Sequence, residues 1–279
     1  MTLLPESPSP VTSSAVSPDG AAPKSPALLA LTGVHRNFGG VQAVSDLSFN
    51  IEAGAIIGLI GPNGSGKSTT VNLISGALPV SDGTIALEGQ EIDGLPVHAR
   101  AALGIARTFQ TTTLFSEFTV LDQVHTACHG RYRTGVAEAV LQTQAARHES
   151  NDQRARAIDI LSWTGLSDCA DRQCSALSSA QQRLVMVATA LATEPKLVLL
   201  DEPAAGMVAI ERKALADLIC RIRDRGITIM LIEHHMGLIM EVCDRIVVLN
   251  FGRKIAEGSP QDIQADPAVI DAYLGTGSH

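Results

Sequence analysis

Gly61-Pro62-Asn63-Gly64-Ser65-Gly66-Lys67-Ser68-Thr69 has the G-x-x-x-x-G-K-S/T spacing of a P-loop. The glycines let the backbone curl so that its amides converge on the β- and γ-phosphates of a nucleotide. Lys67 adds a positive charge for those oxygens, Ser68 offers a hydroxyl to Mg²⁺, and the dipole of a helix starting near Gly66 favours the anion. The apolar run 55–60 predicts a buried parallel strand before the loop, and residues 69–74 predict a helix after it. This context favours a phosphate site over the alternative, a glycine-rich turn without a ligand.

A second buried strand is predicted at Lys196-Leu197-Val198-Leu199-Leu200, and it ends in Asp201-Glu202-Pro203. Asp201 is then placed to hold Mg²⁺ directly or through water, and Glu202 to polarise an attacking water. Two carboxylates after a strand can also be a helix N-terminus with favourable charges. The P-loop earlier in the chain favours the catalytic interpretation.

A third predicted strand, residues 228–232, runs into Glu233-His234-His235. His234 can donate a hydrogen bond to a γ-phosphate. The histidine pair is also compatible with zinc, but the sequence shows no third ligand at a useful spacing. Ligands of open α/β sheets bind at the carboxyl ends of the strands, where all three motifs lie.

Over residues 28–275 the chain resembles the nucleotide-binding subunits of ABC transporters. In that family the loop at 61–69 is the Walker A motif and 197–202 the Walker B strand with its catalytic glutamate. Leu177-Ser178-Ser179-Ala180-Gln181 stands where the signature motif belongs. The resemblance further assigns Gln110 to the Q-loop, His234 to the switch histidine and Phe38 to the aromatic that stacks on adenine.

The resemblance implies an α/β fold with a P-loop NTPase (RecA-like) core, an antiparallel β subdomain and a helical subdomain inserted at about residues 111–190. It implies ATP and Mg²⁺ as cofactors. The implied roles are catalysis by Glu202, His234 and Lys67, metal binding by Ser68, Gln110 and Asp201, and nucleotide binding by a larger set. That set is Phe38, Gly61, Asn63, Gly64, Ser65, Gly66, Lys67, Ser68, Thr69, Gln110, Ser178 and Gln181.

Three further segments resemble the ATP subunits of branched-chain amino acid importers: 201–207, 232–234 and the C-terminal 266–275. This implies a peripheral subunit on the cytoplasmic side of the cell membrane. Its partners would be transmembrane permease subunits, a second ATP-binding subunit that is either identical or distinct, and, indirectly, an extracellular solute-binding protein. The cargo would be branched-chain amino acids or related small polar solutes.

Composition agrees with such a subunit. A formal charge of -8 argues against a nucleic-acid surface, which needs clustered Lys and Arg. No apolar run of about 18 residues is present, so we expect the chain to reach a membrane only through partners. The five cysteines show no paired spacing, which favours a reduced compartment. Cys169 and Cys174 could form half a metal site, but free thiols on a surface loop are the preferred interpretation.

Residues 1–26 are rich in Pro, Ser and Ala and predict a disordered leader before a domain at 27–279. Phe38 lies beside a Gly-Gly turn, which favours exposure and adenine stacking over a core position. Residues 136–161 have helical periodicity within the inserted lobe. The apolar residues of 111–120 either line a groove for a permease helix or fill the core of the lobe, and the sequence leaves both open.

Two positions depart from the family pattern. Ala180 replaces the glycine of the signature, and its methyl group would either forbid a positive φ or crowd the γ-phosphate. Val208, followed by Ala209, replaces the polar residue expected after Met207 in the D-loop. Both motifs face the partner's P-loop in ABC dimers, so a heterodimer would have one strong and one weakened ATP site.

The sequence thus predicts an ATPase subunit that dimerises head-to-tail and powers an importer. A hydrolysis-poor regulatory subunit of an ABC complex is the main alternative. A soluble ABC ATPase acting on ribosomes or DNA would normally carry two such domains or a long coiled coil, and the sequence shows neither.

Overall fold

A parallel sheet forms the centre of the fold, seen in a computed structural model that describes residues 27–108, 114–128 and 143–274. The predicted leader, Gln110 and part of the predicted lobe helix lie outside the described residues. The sheet has six strands in the order β10-β9-β3-β8-β7-β6, and only β10 runs antiparallel to its neighbour. The strands are β3 (Ile56–Ile60), β6 (Ile105–Arg107), β7 (Leu197–Asp201), β8 (Thr228–Ile232), β9 (Arg245–Asn250) and β10 (Arg253–Gly258).

Every residue of β3, β7 and β8 is buried, as expected of strands covered on both faces. These are the three strands predicted to carry the functional motifs. Their order in the sheet, β3-β8-β7, places β8 between the P-loop strand and the strand that ends in the carboxylates. The carboxyl ends of all three therefore meet at one edge.

An antiparallel sheet with the order β2-β1-β4-β5 packs beside this core. Its first two strands are long, 12 residues each, and join at a turn of Gly39 and Gly40. A shared apolar cluster, which includes Leu31, Ile57 and Leu73, connects this sheet to the parallel one. The strands are β1 (Ala27–Phe38), β2 (Val41–Glu52), β4 (Asp82–Leu87) and β5 (Gln90–Glu91).

Helices cover the parallel sheet and build the inserted lobe. The described helices are α1 (Lys67–Ser75), α2 (Val97–Ala102), α3 (Val120–Cys128), α4 (Gln144–Thr164), α5 (Ser179–Leu191), α6 (Ala209–Asp224), α7 (Met236–Val242), α8 (Pro260–Ala265) and α9 (Pro267–Leu274). The lobe helix predicted at 136–161 corresponds to α4, which begins at Gln144 and continues to Thr164. Residues 129–142 lie outside the described residues. Helices α3, α4 and α5 pack on one another around a core of their own.

Cys169 and Cys174 belong to that lobe core, so the prediction of a surface-loop pair is wrong. Both are buried free thiols in short turns of 3-10 helix, Ser167–Cys169 and Cys174–Ala176. Burial raises the pKa of each thiol. Thiols in such surroundings are packing residues of low reactivity.

The sequence predicts that the apolar residues of 111–120 either line a groove for a permease helix or fill the lobe core, and the described ones divide between these two positions. Leu114 is half-buried against the lobe core and lines a cavity of about 300 Å³ between the lobe and the main sheet. Phe115 and Phe118 remain exposed and contact each other, with ring centroids 4.9 Å apart. Part of the segment fills the lobe, and part is available on its surface.

A buried arginine holds the far end of the P-loop helix. Arg100 is 1% exposed, and its Nη1 donates to the carbonyls of Leu73 at 2.6 Å and Ile74 at 3.0 Å. Its Nε and Nη2 donate to the carbonyls of Leu95 and Asp93. Burial lowers the pKa of Arg100, and nearby Asp93 opposes that shift. The last carbonyls of α1 thus receive a positive charge where the helix dipole is negative.

Replacing this arginine tests its contribution to stability. Arg100→Ala leaves buried carbonyls unpaired, so we expect the free energy of unfolding to fall by about 3 kcal/mol. Urea denaturation of the purified chain measures the change. Arg253→Ala, at an exposed arginine, should stay close to the parent. An Arg100→Ala midpoint equal to that of the control would show that water replaces the guanidinium without cost.

Candidate active site

The predicted P-loop lies at the carboxyl end of β3 and leads directly into α1. Gly66 has a φ of 103°, and a Cβ there would meet the carbonyl oxygen of Ala43 at 2.7 Å. Gly61 has a φ of 148°, and its Cβ would meet the carbonyl oxygen of Leu249 at 2.1 Å. Both glycines are therefore fixed by the protein around the loop as well as by the phosphate that the loop is predicted to hold.

The P-loop and the helix that follows it carry hydrogen-bond donors that are available to a ligand. No residue in the described part of the chain is a hydrogen-bond partner of the buried Oγ of Ser65. No side chain caps α1, because its N-cap is Gly66. A buried hydroxyl and the free amides of a first helical turn are the groups that bind phosphate oxygens. The residues present therefore fit a nucleotide phosphate.

Lys67 is held against its own loop. Its Nζ donates to the carbonyl of Gly61 at 2.7 Å and to that of Pro62 at 2.9 Å. Burial lowers the pKa of the ammonium, while the charges of Glu202 and Asp201 act in the opposite direction. The charge is thus close to both carboxylates before any phosphate arrives.

A turn that sequence reasoning missed supports the loop. The amide of Gly252, between β9 and β10, donates to the carbonyl of Ser65 at 3.0 Å, and the amide of Ser45 on β2 donates to the carbonyl of Gly252 at 2.8 Å. Phe251 precedes Gly252 with a φ of 45°, an uncommon conformation for an aromatic residue. The Phe-Gly pair could have indicated a turn, but nothing in the sequence says that it contacts the P-loop.

Asp201 ends β7 as predicted and is buried. Arg107, at the end of β6, donates from Nη2 to Asp201 Oδ2 at 3.0 Å and from Nη1 to Asn72 Oδ1 at 2.5 Å. This ion pair offsets the cost of a buried carboxylate and fixes its orientation. Arg107 is a further residue to which sequence reasoning assigned no role, although it lies only three residues before Gln110.

Glu202 and His234 come together from neighbouring strand ends. Glu202 Oε1 lies 3.9 Å from His234 Nδ1, and the amide of Glu202 donates to the carbonyl of Ile232 at 2.9 Å. Glu202 has a φ of 49°, a left-handed conformation that is strained for its side chain and is frequent at functional sites. Arg183 on α5 donates to the carbonyl of Glu202 at 3.2 Å and so links this turn to the lobe.

A fully buried carboxylate fixes this arrangement. Glu233 accepts hydrogen bonds from the amides of Ala204 at 2.7 Å, His234 at 3.2 Å and His235 at 3.5 Å. It therefore ties the turn after Glu202 to the turn that carries His234. Glu233 Oε2 also lies 3.9 Å from His234 Nδ1, so the expectation that the histidine pair has no third ligand nearby is wrong.

Comparison with known proteins agrees with this geometry. The family described as "ABC transporter" matches residues 44–205, and "Branched-chain amino acid ATP-binding cassette transporter" matches residues 253–279. The chain belongs to the ABC transporter family of ATP-binding subunits. Nucleotide binding and ATP hydrolysis are the activities of this family.

Two curated relatives and one solved structure show how far the similarity extends. The high-affinity branched-chain amino acid transport ATP-binding protein LivG of Salmonella typhimurium is 41% identical over 249 residues, 89% of this chain and 98% of LivG. BraF of Pseudomonas aeruginosa, a protein with the same description, is 37% identical over the same shares. The structure of MJ1267 in its ADP conformation, an ATP-binding cassette of an ABC transporter, matches this chain with a TM-score of 0.78. The two sequences are 30% identical, and the match covers 89% of this chain and 99% of MJ1267.

Among the residues that the structure describes, none of the helices has the length and apolar character needed to cross a membrane. ABC importer ATP-binding subunits generally dimerise and work with transmembrane permeases.

The predicted adenine-stacking residue is exposed. Phe38, the last residue of β1, is 44% accessible. The guanidinium carbon of Arg36 lies 4.6 Å from its ring centroid, and Arg36 also donates to the carbonyl of Pro79. One cation–π contact thus orients the Phe38 ring without burying it.

The signature segment opens α5, and its two predicted nucleotide ligands bond to each other. Ser178 Oγ accepts from the amide of Gln181 at 3.2 Å, while Gln181 Oε1 accepts from the amide of Ser178 at 3.1 Å. This capping box uses the amides of Ser178 and Gln181. The same helix reaches the strand-end groups through Arg183, which donates to the carbonyl of Glu202.

Ala180 does not have the consequence predicted from sequence. It is not among the residues with a positive φ, and its methyl group is buried in the main core beside Val187 and Ala204. The methyl group therefore packs inward instead of crowding a γ-phosphate. The basis for a weakened second ATP site is reduced to Val208, which is 59% exposed and whose amide is capped by Glu211.

Glycine at this position tests the packing role. Ala180→Gly should lower the free energy of unfolding by about 1 kcal/mol, because glycine is a poor helix residue. It should not raise ATP turnover. Ser179→Gly, at the exposed neighbouring position, is the matched control for helix propensity. Urea denaturation and steady-state turnover measure the two effects, and a gain in turnover for Ala180→Gly would restore the crowding explanation.

The Glu233 carboxylate is the second test in this site. Glu233→Ala leaves the buried amide of Ala204 unpaired, which costs roughly 1–3 kcal/mol of stability, and frees Glu202 and His234 to move apart. We expect kcat to fall more than KM rises.

Glu233→Gln keeps one acceptor oxygen and should recover part of kcat, whereas Glu117→Ala, at an exposed glutamate, should change nothing. Steady-state ATPase kinetics on the purified variants give both parameters. Parental kcat in Glu233→Ala would show that the backbone alone sets the distance between the two turns.

Proposed function

We propose that this chain is the ATP-hydrolysing subunit of an importer for branched-chain amino acids or related small polar solutes. The observation that carries the hydrolysis step is the meeting of Glu202 and His234 at strand ends beside the P-loop strand. The names of LivG and BraF and the C-terminal family match at 253–279 support the cargo class.

The nucleotide would be held by the chain's own P-loop. The Ser65 hydroxyl, the Lys67 ammonium and the amides of the first turn of α1 would face the phosphates, and Phe38 would stack on adenine. Ser68, Asp201 and Gln110 would hold Mg²⁺, which supplies positive charge against the phosphate oxygens. Gln110 lies outside the described residues, so its role stays a prediction.

Hydrolysis follows from the two strand-end groups. Glu202 accepts a proton from the attacking water as the oxygen–phosphorus bond forms, and the bond to the β-phosphate oxygen breaks. His234 donates a hydrogen bond that keeps the γ-phosphate and the water in line. Lys67 stabilises the charge that develops on the β- and γ-phosphate oxygens. Glu233 fixes the distance between base and histidine.

The remaining surfaces suit protein partners. Ser178, Gln181 and the amides at the start of α5 would face the nucleotide of a second ATP-binding subunit. The cavity of about 300 Å³ beside Leu114 would receive a cytoplasmic segment of the permease. These contacts would hold the chain on the cytoplasmic face of the membrane, with the extracellular solute-binding protein reached only through the permease.

Removing the base separates ATP binding from hydrolysis. Glu202→Gln should bind ATP like the parent but hydrolyse it roughly 10²–10⁴-fold more slowly, the usual contribution of a positioned general base. Turnover and nucleotide affinity of the purified chain, alone and with its permease, measure this. Glu91→Gln, at an exposed glutamate on β5, is the matched control.

A Glu202→Gln variant with parental turnover would place the base elsewhere. A parental chain that binds ATP but does not turn it over, even with the permease, would favour the regulatory alternative. The exposed Val208 in the D-loop is the feature that supports that alternative.

Transport assays test the cargo. In cells whose uptake depends on this chain, loss of the chain should abolish accumulation of labelled leucine, isoleucine or valine. Complementation by the parent should restore it, and complementation by Glu202→Gln should not. Unchanged uptake of all three together with lost uptake of an amide or urea would reassign the cargo while leaving the ATPase role intact.

A further inference from the structure

The turn after β8 brings three metal-ligating side chains together. One ligand atom from each of Glu233, His234 and His235 lies within 4.8 Å of the others. The rings of His234 and His235 have centroids 4.5 Å apart, and His234 Nδ1 is 3.9 Å from Glu233 Oε2. The ATPase mechanism uses His234 and Glu233 but gives His235 no task.

We propose that these three residues form a binding site for a divalent transition-metal cation of the zinc type, separate from the Mg²⁺ of the nucleotide. Metal–ligand bonds of about 2.0–2.2 Å place ligand atoms roughly 3–4 Å apart around one ion. The observed separations need only a small closure. Both histidines can supply it by rotating, because His234 is exposed and His235 is half-exposed.

The carboxylate is already oriented for this role. Glu233 Oε1 takes the short hydrogen bond of 2.7 Å from Ala204, whereas Oε2 accepts only the longer contacts of 3.2 and 3.5 Å from His234 and His235. Oε2 is also the oxygen that faces His234 Nδ1. Backbone donors that hold a ligating carboxylate are the outer-shell support typical of metal sites.

A cavity of about 380 Å³ gives access to the site. His234 and His235 line it together with Arg212, Lys213 and Glu241. Lys213 is already paired with carboxylates, Glu241 at 2.7 Å and Asp217 at 3.3 Å, which offset its charge. Arg212 donates to the carbonyl of Met207 at 2.6 Å and keeps its positive charge, so a bound cation has to tolerate one guanidinium in the cavity wall.

The ligand set selects the type of ion. Imidazole nitrogens favour zinc, copper and nickel, while Mg²⁺ prefers an all-oxygen octahedron. Asp201 and the P-loop hydroxyl of Ser68 offer such oxygens at a different strand end. Physiological Mg²⁺ should therefore not occupy the histidine site.

Occupation of this site would act on hydrolysis, an effect that rests on the proposed role of Glu202. Glu202 Oε1 also lies 3.9 Å from His234 Nδ1. A divalent charge beside that oxygen lowers its basicity or recruits it as a fourth ligand. ATP binding at the P-loop would persist while cleavage of the γ-phosphate stops.

Direct binding is measured with Co²⁺, whose visible absorption reports tetrahedral coordination. The protein is the full chain carrying Cys220→Ser, which removes the most accessible thiol among the described cysteines. We expect one equivalent to bind and Zn²⁺ to displace it. His235→Gln should weaken binding at least about 10-fold, since loss of outer-shell partners alone costs that much. His98→Gln, which removes an exposed histidine on α2, should bind like the parent.

Equal Co²⁺ affinity in the parent and His235→Gln would overturn the site. The site would also be overturned if the chain with Cys220 in place bound Co²⁺ and Cys220→Ser alone lost all binding. This readout needs no ATPase activity, so its failure is distinct from failure of the proposed function. In the activity assay, micromolar Zn²⁺ at saturating MgATP should inhibit the parent and His98→Gln but spare His235→Gln. Equal inhibition of all three would assign the effect to metal bound elsewhere.

Discussion

The pairing of β3, β8 and β7 in parallel register is the constraint on which the site depends. Asp201 is in register with Ile232 across β7 and β8, and the amide of Glu202 continues the ladder by donating to the carbonyl of Ile232. This pairing sets the base and the histidine side by side. Because all three strands are buried on both faces, a one-residue slip would exchange side chains between two packed faces and unpair backbone groups, so the register is strongly specified.

Charge balance at this edge shows how the chain tolerates two functional carboxylates and a buried third. Asp201 is neutralised by Arg107, and Glu233 is compensated by backbone amides alone. Lys67 lies close enough to influence both Asp201 and Glu202. Each buried charge therefore has a partner, as low-dielectric surroundings require. No side chain caps α1, so the amides of its first turn are available to an anion.

The motifs with fixed spacing were predictable from sequence because phosphate and metal chemistry dictate their residue types. The P-loop, the β7 carboxylates and the β8 histidine all lie at strand ends as predicted. Residues that act through tertiary contact were not predictable. Arg107, Gly252 and Glu233 have no spacing signal, since their partners lie far away in the chain or on its backbone. Ala180 adopts no positive φ, and its methyl group is buried in the main core, because the tertiary packing of α5 decides which of its side chains turn inward.

The strand that carries the P-loop has both of its neighbours, β8 and β9, in the last quarter of the chain. The turn that holds the carbonyl of Ser65 comes later still, at Gly252. During synthesis, the nucleotide loop is therefore made early and its strand must wait for these long-range partners before it can pair. The full support of the loop forms only once the chain has been made nearly to its C-terminal helices.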